Sequence, residues 1–200
     1  MSGLYPRRPT LALAVALALV APACGGGSES SPAAKTGGEK HGVSFEDTRR
    51  EVCSLAGGSV RIVVSVPDGF ALARAPESCM VAEEHGKIPS FVTISAIAVD
   101  DAGPEQKLGE PGGVLAWVEA TGVLGEGVSQ VGEGRTELLG ADVGFVRVVG
   151  EPQGLGVRRE VALMSTRQAS HHVVVMAVYP PGDDAARERT MSLLEGIGAE

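Results

Sequence analysis

Residues 59–70 read SVRIVVSVPDGF. Val60, Ile62, Val64 and Val66 recur at every second position, the period of a β-strand that buries one face. Pro67-Asp68-Gly69 supplies the turn residues that end it. A β-branched stripe stopped by a turn predicts a sheet-based domain, and the rest of the chain is read outward from it.

Toward the C-terminus, Phe70–Pro76 has no clear period and Cys79–Glu84 reads as a short strand. Ser90–Asp100, SFVTISAIAVD, is apolar on both faces, as in a central strand. Asp101–Pro111 is a polar loop with two prolines. Gly113–Leu124 has helical spacing, with Val114, Trp117, Val118 and Thr121 on one side and Gly125 placed to cap its end. Short strands follow at 128–131 and 135–139, then Ala141–Val149, a turn at 150–156, and a hairpin of 157–166 with 172–179. A closing helix is predicted over Asp183–Ile197, burying Ala186, Thr190, Leu193, Leu194 and Ile197, with Asp183 and Asp184 at the positive end of its dipole. Toward the N-terminus, Phe45, Val52 and Leu55 are spaced for a short helix carrying Cys53, capped by Ser44 or Asp47.

Antiparallel strands interrupted by two helices predict an α+β domain, a curved antiparallel sheet with helices packed on it, over residues 43–200. The order of elements, with Ser65-Val66-Pro67-Asp68-Gly69-Phe70, the helix after a Gly/Pro-rich loop and a Pro-ended strand before the last helix, resembles the Mog1/PsbP-like fold, which is seen in bacterial lipoproteins, over about Gly58 to Gly198. That family has no single shared activity, so the resemblance implies a fold and assigns no functional residue.

The first 23 residues read as a secretory signal peptide. Met1–Thr10 carries Arg7 and Arg8 and no acid, Leu11–Val20 is an unbroken apolar run, and Ala21-Pro22-Ala23 offers a small-residue cleavage site. Ten apolar residues rise about 15 Å as a helix, half of the roughly 30 Å hydrocarbon core, so this run is too short for a membrane span. Cys24 followed by Gly25-Gly26-Gly27-Ser28 resembles the lipobox of bacterial lipoproteins, although Ala21 stands where Leu is usual. The resemblance implies diacylation of the Cys24 sulfur and membrane anchorage. An ordinary signal peptidase cutting the same bond would leave a free thiol. Arg7-Arg8 leaves twin-arginine export open as the route. Residues 24–42, rich in Gly, Ser, Lys and Glu, read as a flexible tether with an r.m.s. reach of about 25 Å.

Without residues 1–23, 15 basic and 25 acidic residues remain, a net charge of −10. Such a surface repels phosphate backbones and anionic head groups, so nucleic acid is not expected as a partner. With Cys24 lipidated, Cys53 and Cys79 are left in an oxidising compartment, where a disulfide is expected. A two-ligand metal site is the alternative, but His41, His85, His171 and His172 show no metal spacing.

No hydrolase elbow, zincin, Walker or dinucleotide motif occurs. Gly127-Val-Ser129-Gln-Val-Gly132 has the wrong spacing for an elbow, and the glycines of 122–134 read as loop glycines. His171-His172 are strand neighbours that point to opposite faces. Glu83-Glu84-His85 reads as a solvated strand end, and Asp100-Asp101 and Asp183-Asp184 as a loop start and a helix cap. No catalytic, metal or cofactor residue is therefore expected. The functional expectation is a lipid-anchored envelope lipoprotein of non-enzymatic binding or accessory type, facing the periplasm or exterior. An unknown envelope protein or small hydrophobic ligand is its expected partner. An envelope hydrolase with a non-motif active site is the alternative.

Overall fold

The computed structural model describes residues 48–85, 89–99, 104–109 and 112–200. The leader, Cys24, the tether and Asp100-Asp101 lie outside them.

Among the described residues, ten strands and two α-helices follow one another. β1 (Thr48–Leu55) and β2 (Val60–Pro67) form a hairpin, as do β3 (Phe70–Ala75) and β4 (Ser78–Glu83), and β5 (Phe91–Ala98) follows. A 3-10 helix (Pro104–Gly109) leads into α1 (Gly113–Thr121). Then come β6 (Ser129–Leu138), β7 (Ala141–Gly150), β8 (Arg159–Gln168) and β9 (His171–Tyr179). α2 (Asp184–Ser192) runs into a 3-10 helix (Leu193–Gly196) and β10 (Ile197–Ala199).

Seven strands make one antiparallel sheet in the order β3-β4-β5-β9-β8-β7-β6, and three make a second in the order β1-β2-β10. The architecture is α+β but rich in sheet, with two helices of nine residues each. The stripe of Val60, Ile62, Val64 and Val66 is buried, and it shares the main core with Val81, Val92, Ile94, Val173, Val175 and Ala177 of the large sheet and Leu193, Leu194 and Ile197 of the C-terminal segment. On the opposite face of the large sheet, α1 and the Pro104–Gly109 helix contact β8 and β9. There Leu108, Val114, Trp117 and Val118 are buried, as is Leu163 of β8.

Four segments differ from their sequence expectations. The segment around Cys53 is strand β1, not a helix: it pairs along its length with β2, and its deeply buried residues, Cys53 and Leu55, alternate at period two. Phe70–Ala75 is a regular strand, because Gly69, at φ 80°, reverses the chain directly into it and β4 supplies its ladder. The two short strands at 128–139 are one strand, β6, with a bulge between Gln130 and Gly132. Gly132 and Gly134 are therefore strand residues rather than loop residues. The predicted closing helix ends at Ser192, and Ile197 pairs with Val64 instead of continuing it.

Candidate functional site

An open groove of about 680 Å³ lies on the α1 side of β6–β8. Its position follows from one close backbone approach. An added Cβ at Gly113 would lie 1.4 Å from the Lys107 carbonyl oxygen, so the 3-10 helix can fold back on α1 only because residue 113 has no side chain. The Ser165 hydroxyl then donates to the Leu108 carbonyl at 2.6 Å and ties this corner to β8. Leu108 and Gly109 form one wall, and Gly144, Val146 and Leu163 line the floor.

The opposite rim is charged but internally matched. Arg135 Nη2 lies 2.8 Å from Asp142 Oδ2, with a further bond from Nε to Oδ1 at 3.0 Å. Glu133 and Arg167 complete the polar lining. This combination of apolar floor and paired rim suits an extended or apolar guest better than a strongly charged one.

His172 sits beside the groove wall. It is 2% exposed, and its Nδ1 has no hydrogen-bond partner among the described residues. Burial, followed by the Arg167 charge, holds its imidazole below the usual histidine range. His171, on the other face, is half-buried and meets Ser170 Oγ through Nδ1 at 3.2 Å. The two histidines are thus separated, as alternation requires. Among the described residues no three of His, Cys, Asp and Glu gather to hold a metal.

A second polar cluster lies on the other face. Glu160 Oε1 accepts from Arg147 Nη1 at 3.0 Å and from the Tyr179 hydroxyl at 3.2 Å. Burial first, and the Glu160 charge second, raise the Tyr179 phenol. The bonding within this set makes it a buried structural network. No local pattern reports it, since its three members come from three different strands.

Cys53 and Cys79 form a disulfide with Cα atoms 6.3 Å apart. Asp183 caps α2, its Oδ1 accepting from Ala186 N at 2.9 Å, and Asp184 pairs with Arg187. Glu83, expected to be solvated, is instead engaged twice, by Arg189 Nε at 3.4 Å and by Ser90 N at 3.2 Å. Its strand end is covered by α2, which local sequence does not report.

Compared with solved structures, the chain is similar to a cyanobacterial PsbP (CyanoP) from Synechocystis, with a TM-score of 0.54 and 10% identity over 85% of this chain and 100% of that one. The fold is PsbP-like. At 10% identity the likeness concerns the fold alone. A crystal structure from Bacteroides thetaiotaomicron aligns with a TM-score of 0.41 and 12% identity, over 70% of this chain and 45% of that one, and bears no argument. No family model and no curated protein matches the chain. The PsbP-like frame thus accounts for the sheet order, and the groove is described by its own residues.

Proposed function

We propose that the chain is a lipid-anchored envelope lipoprotein, held by Cys24, whose PsbP-like domain is a non-enzymatic binding or accessory module. The address rests on the leader and on Cys24 in its lipobox-like setting. The binding role rests on one observation: the groove beside β6–β8 has an apolar floor, while its Ser165 hydroxyl and its Arg135–Asp142 pair are already engaged within the protein. The guest is an extended segment of an envelope protein or a small hydrophobic molecule. Sheet and helices of the Mog1/PsbP kind serve here as a rigid support for that groove.

Two measurements test the reading. Wild type should incorporate labelled palmitate and fractionate with membranes, and Cys24→Ser should do neither; a membrane-bound, unlabelled wild type would sink the anchor. Gly144→Leu fills the groove where an added Cβ meets nothing nearer than the Gly134 carbonyl oxygen at 3.9 Å. Partners recovered after membrane extraction should be lost with this variant.

The hydrolase alternative draws on Ser165 and His172, which lie on neighbouring strands and share a face. It would require Ser165 to give up its bond to the Leu108 carbonyl. Labelling of Ser165 by a fluorophosphonate would favour that alternative.

A further inference from the structure

β6 ends the seven-stranded sheet, and its outer edge has a defined pattern. The hairpin to β7 turns through two residues, Leu139 and Gly140, both at positive φ, so Leu138 and Ala141 form a hydrogen-bonded pair. Counting back from that pair, the backbone N–H and C=O groups of Leu138, Thr136 and Gly134 point in toward β7. Those of Glu137, Arg135 and Glu133 point out, away from the sheet. The side chains on this outward set alternate in charge, acid, base, acid, along one face.

On the other face β6 carries Leu138 in the core and Thr136, but no side chain at Gly134 and Gly132. Gly134 is crossed by the Phe145 ring and Gly132 by the Arg147 guanidinium, since an added Cβ would meet these groups at 2.5 Å and 2.4 Å. Phe145 therefore reaches to the edge of the sheet and stops there half-buried.

We infer that β6 is the interface for a second copy of this chain, paired antiparallel about Gly134. An isologous antiparallel ladder can be centred on only a few residues, and charge selects among them. Centred on Arg135, it sets Arg135 against itself and Glu133 against Glu137, and every pair repels. Centred on Gly134, it sets Glu133 against Arg135 of the second copy, twice by symmetry, so that each Arg135 guanidinium, held by Asp142 of its own chain, gains a second carboxylate, and both residues use their outward backbone groups. This register also places Gly134 against Gly134, leaving room for the two Phe145 rings to meet over the seam. Centring on Thr136 also opposes charges, but it shortens the ladder to the turn end of β6 and loses the glycine pair. Val131, 48% exposed at the bulge, lies on the same edge. Charges and a bulge are the usual devices that keep an edge from indiscriminate pairing, and here the same charges accept one partner. The two-fold axis is perpendicular to the sheet, so both grooves open on the same side of a continuous sheet.

Sedimentation equilibrium of the full-length chain carrying Cys24→Ser, from micromolar to millimolar concentration, should show a monomer–dimer equilibrium. Glu133→Lys, which makes both cross-pairs repulsive, should raise the dissociation constant roughly tenfold. The swap E133R/R135E/D142R, which also keeps the 135–142 pair within each chain, restores both cross-pairs and should restore dimerisation. A monomer throughout, a dimer indifferent to Glu133→Lys, or a swap that does not rescue would each overturn the interface. Circular dichroism and the melting temperature of each variant separate these outcomes from misfolding.

Discussion

Cys53 of β1 and Cys79 of β4 bond the small sheet to the large one, with their Cα atoms 6.3 Å apart and both residues essentially unexposed. Among the described residues no backbone ladder joins the two sheets, so this bridge supplements the apolar contact between their facing stripes. Twenty-six positions separate the cysteines, and closing such a loop stabilises the fold by about 3.5 kcal/mol in the chain-entropy account. Urea unfolding of the oxidised and reduced chain should differ by about that amount, and the unreduced domain should show neither thiol to a thiol reagent.

Gly113→Ala places a methyl on the Lys107 carbonyl, an overlap that only displacement of the Pro104–Gly109 helix can relieve. The expected cost is about 2–3 kcal/mol, typical of overpacking against backbone. Thermal melts give the loss. Hydrogen exchange should place the loosening at residues 104–109 and at the Ser165 anchor, with β1 and β2 unaffected.

Arg147→Ala leaves the Glu160 carboxylate, whose side chain is 10% exposed, without its cation. Stranding a buried charge costs about 3 kcal/mol, whereas Tyr179→Phe removes one hydrogen bond and should cost about 1 kcal/mol. A double-mutant cycle on the two, read by chemical denaturation, should show coupling through Glu160.

The raised Tyr179 phenol fixes a sign at alkaline pH. The unfolded chain ionises its tyrosine near pH 10 while the folded one stays neutral, so stability is full below about pH 10 and declines as pH rises beyond it. The chain has two tyrosines, Tyr5 and Tyr179. Absorbance at about 295 nm on a chain cut to begin at Cys24 should therefore rise only together with unfolding, and Tyr179→Phe should flatten the alkaline loss.

His172 gives the opposite arm. Its folded pKa is lowered, so the neutral imidazole contributes stability above about pH 6.5 that is lost as pH falls below it. Melting temperatures between neutral and mildly acidic pH should fall more steeply for wild type than for His172→Gln.

The parts of the fold legible in the sequence were those in which one strand or helix reports its own burial. The stripe of Val60, Ile62, Val64 and Val66 and the set Ala186, Thr190, Leu193, Leu194 and Ile197 lie in the core or against it, as their periods predict. β1 was misread because Arg49, Arg50 and Glu51 occupy its open end, leaving Val52 and Leu55 at a three-residue spacing that imitates a helix. The groove has no local signature: Leu108 and Gly109 of the 101–111 segment line it, but its floor is drawn from β7 and β8.

The sequence by itself determined the composition-level facts and the local ones: the apolar run Leu11–Val20 ahead of Cys24, the acidic balance, the cysteines at 53 and 79, the turn at Pro67-Asp68-Gly69 and the Asp183 cap. Each of these rests on neighbours in the chain. Only the tertiary structure decided that Cys53 meets Cys79 across two sheets, that Arg147 and Tyr179 converge on Glu160, and that β6 stands at an edge with Phe145 lying over Gly134. These contacts join strands distant in sequence, and strand order is set by which apolar faces can be buried together, a property that no single segment encodes.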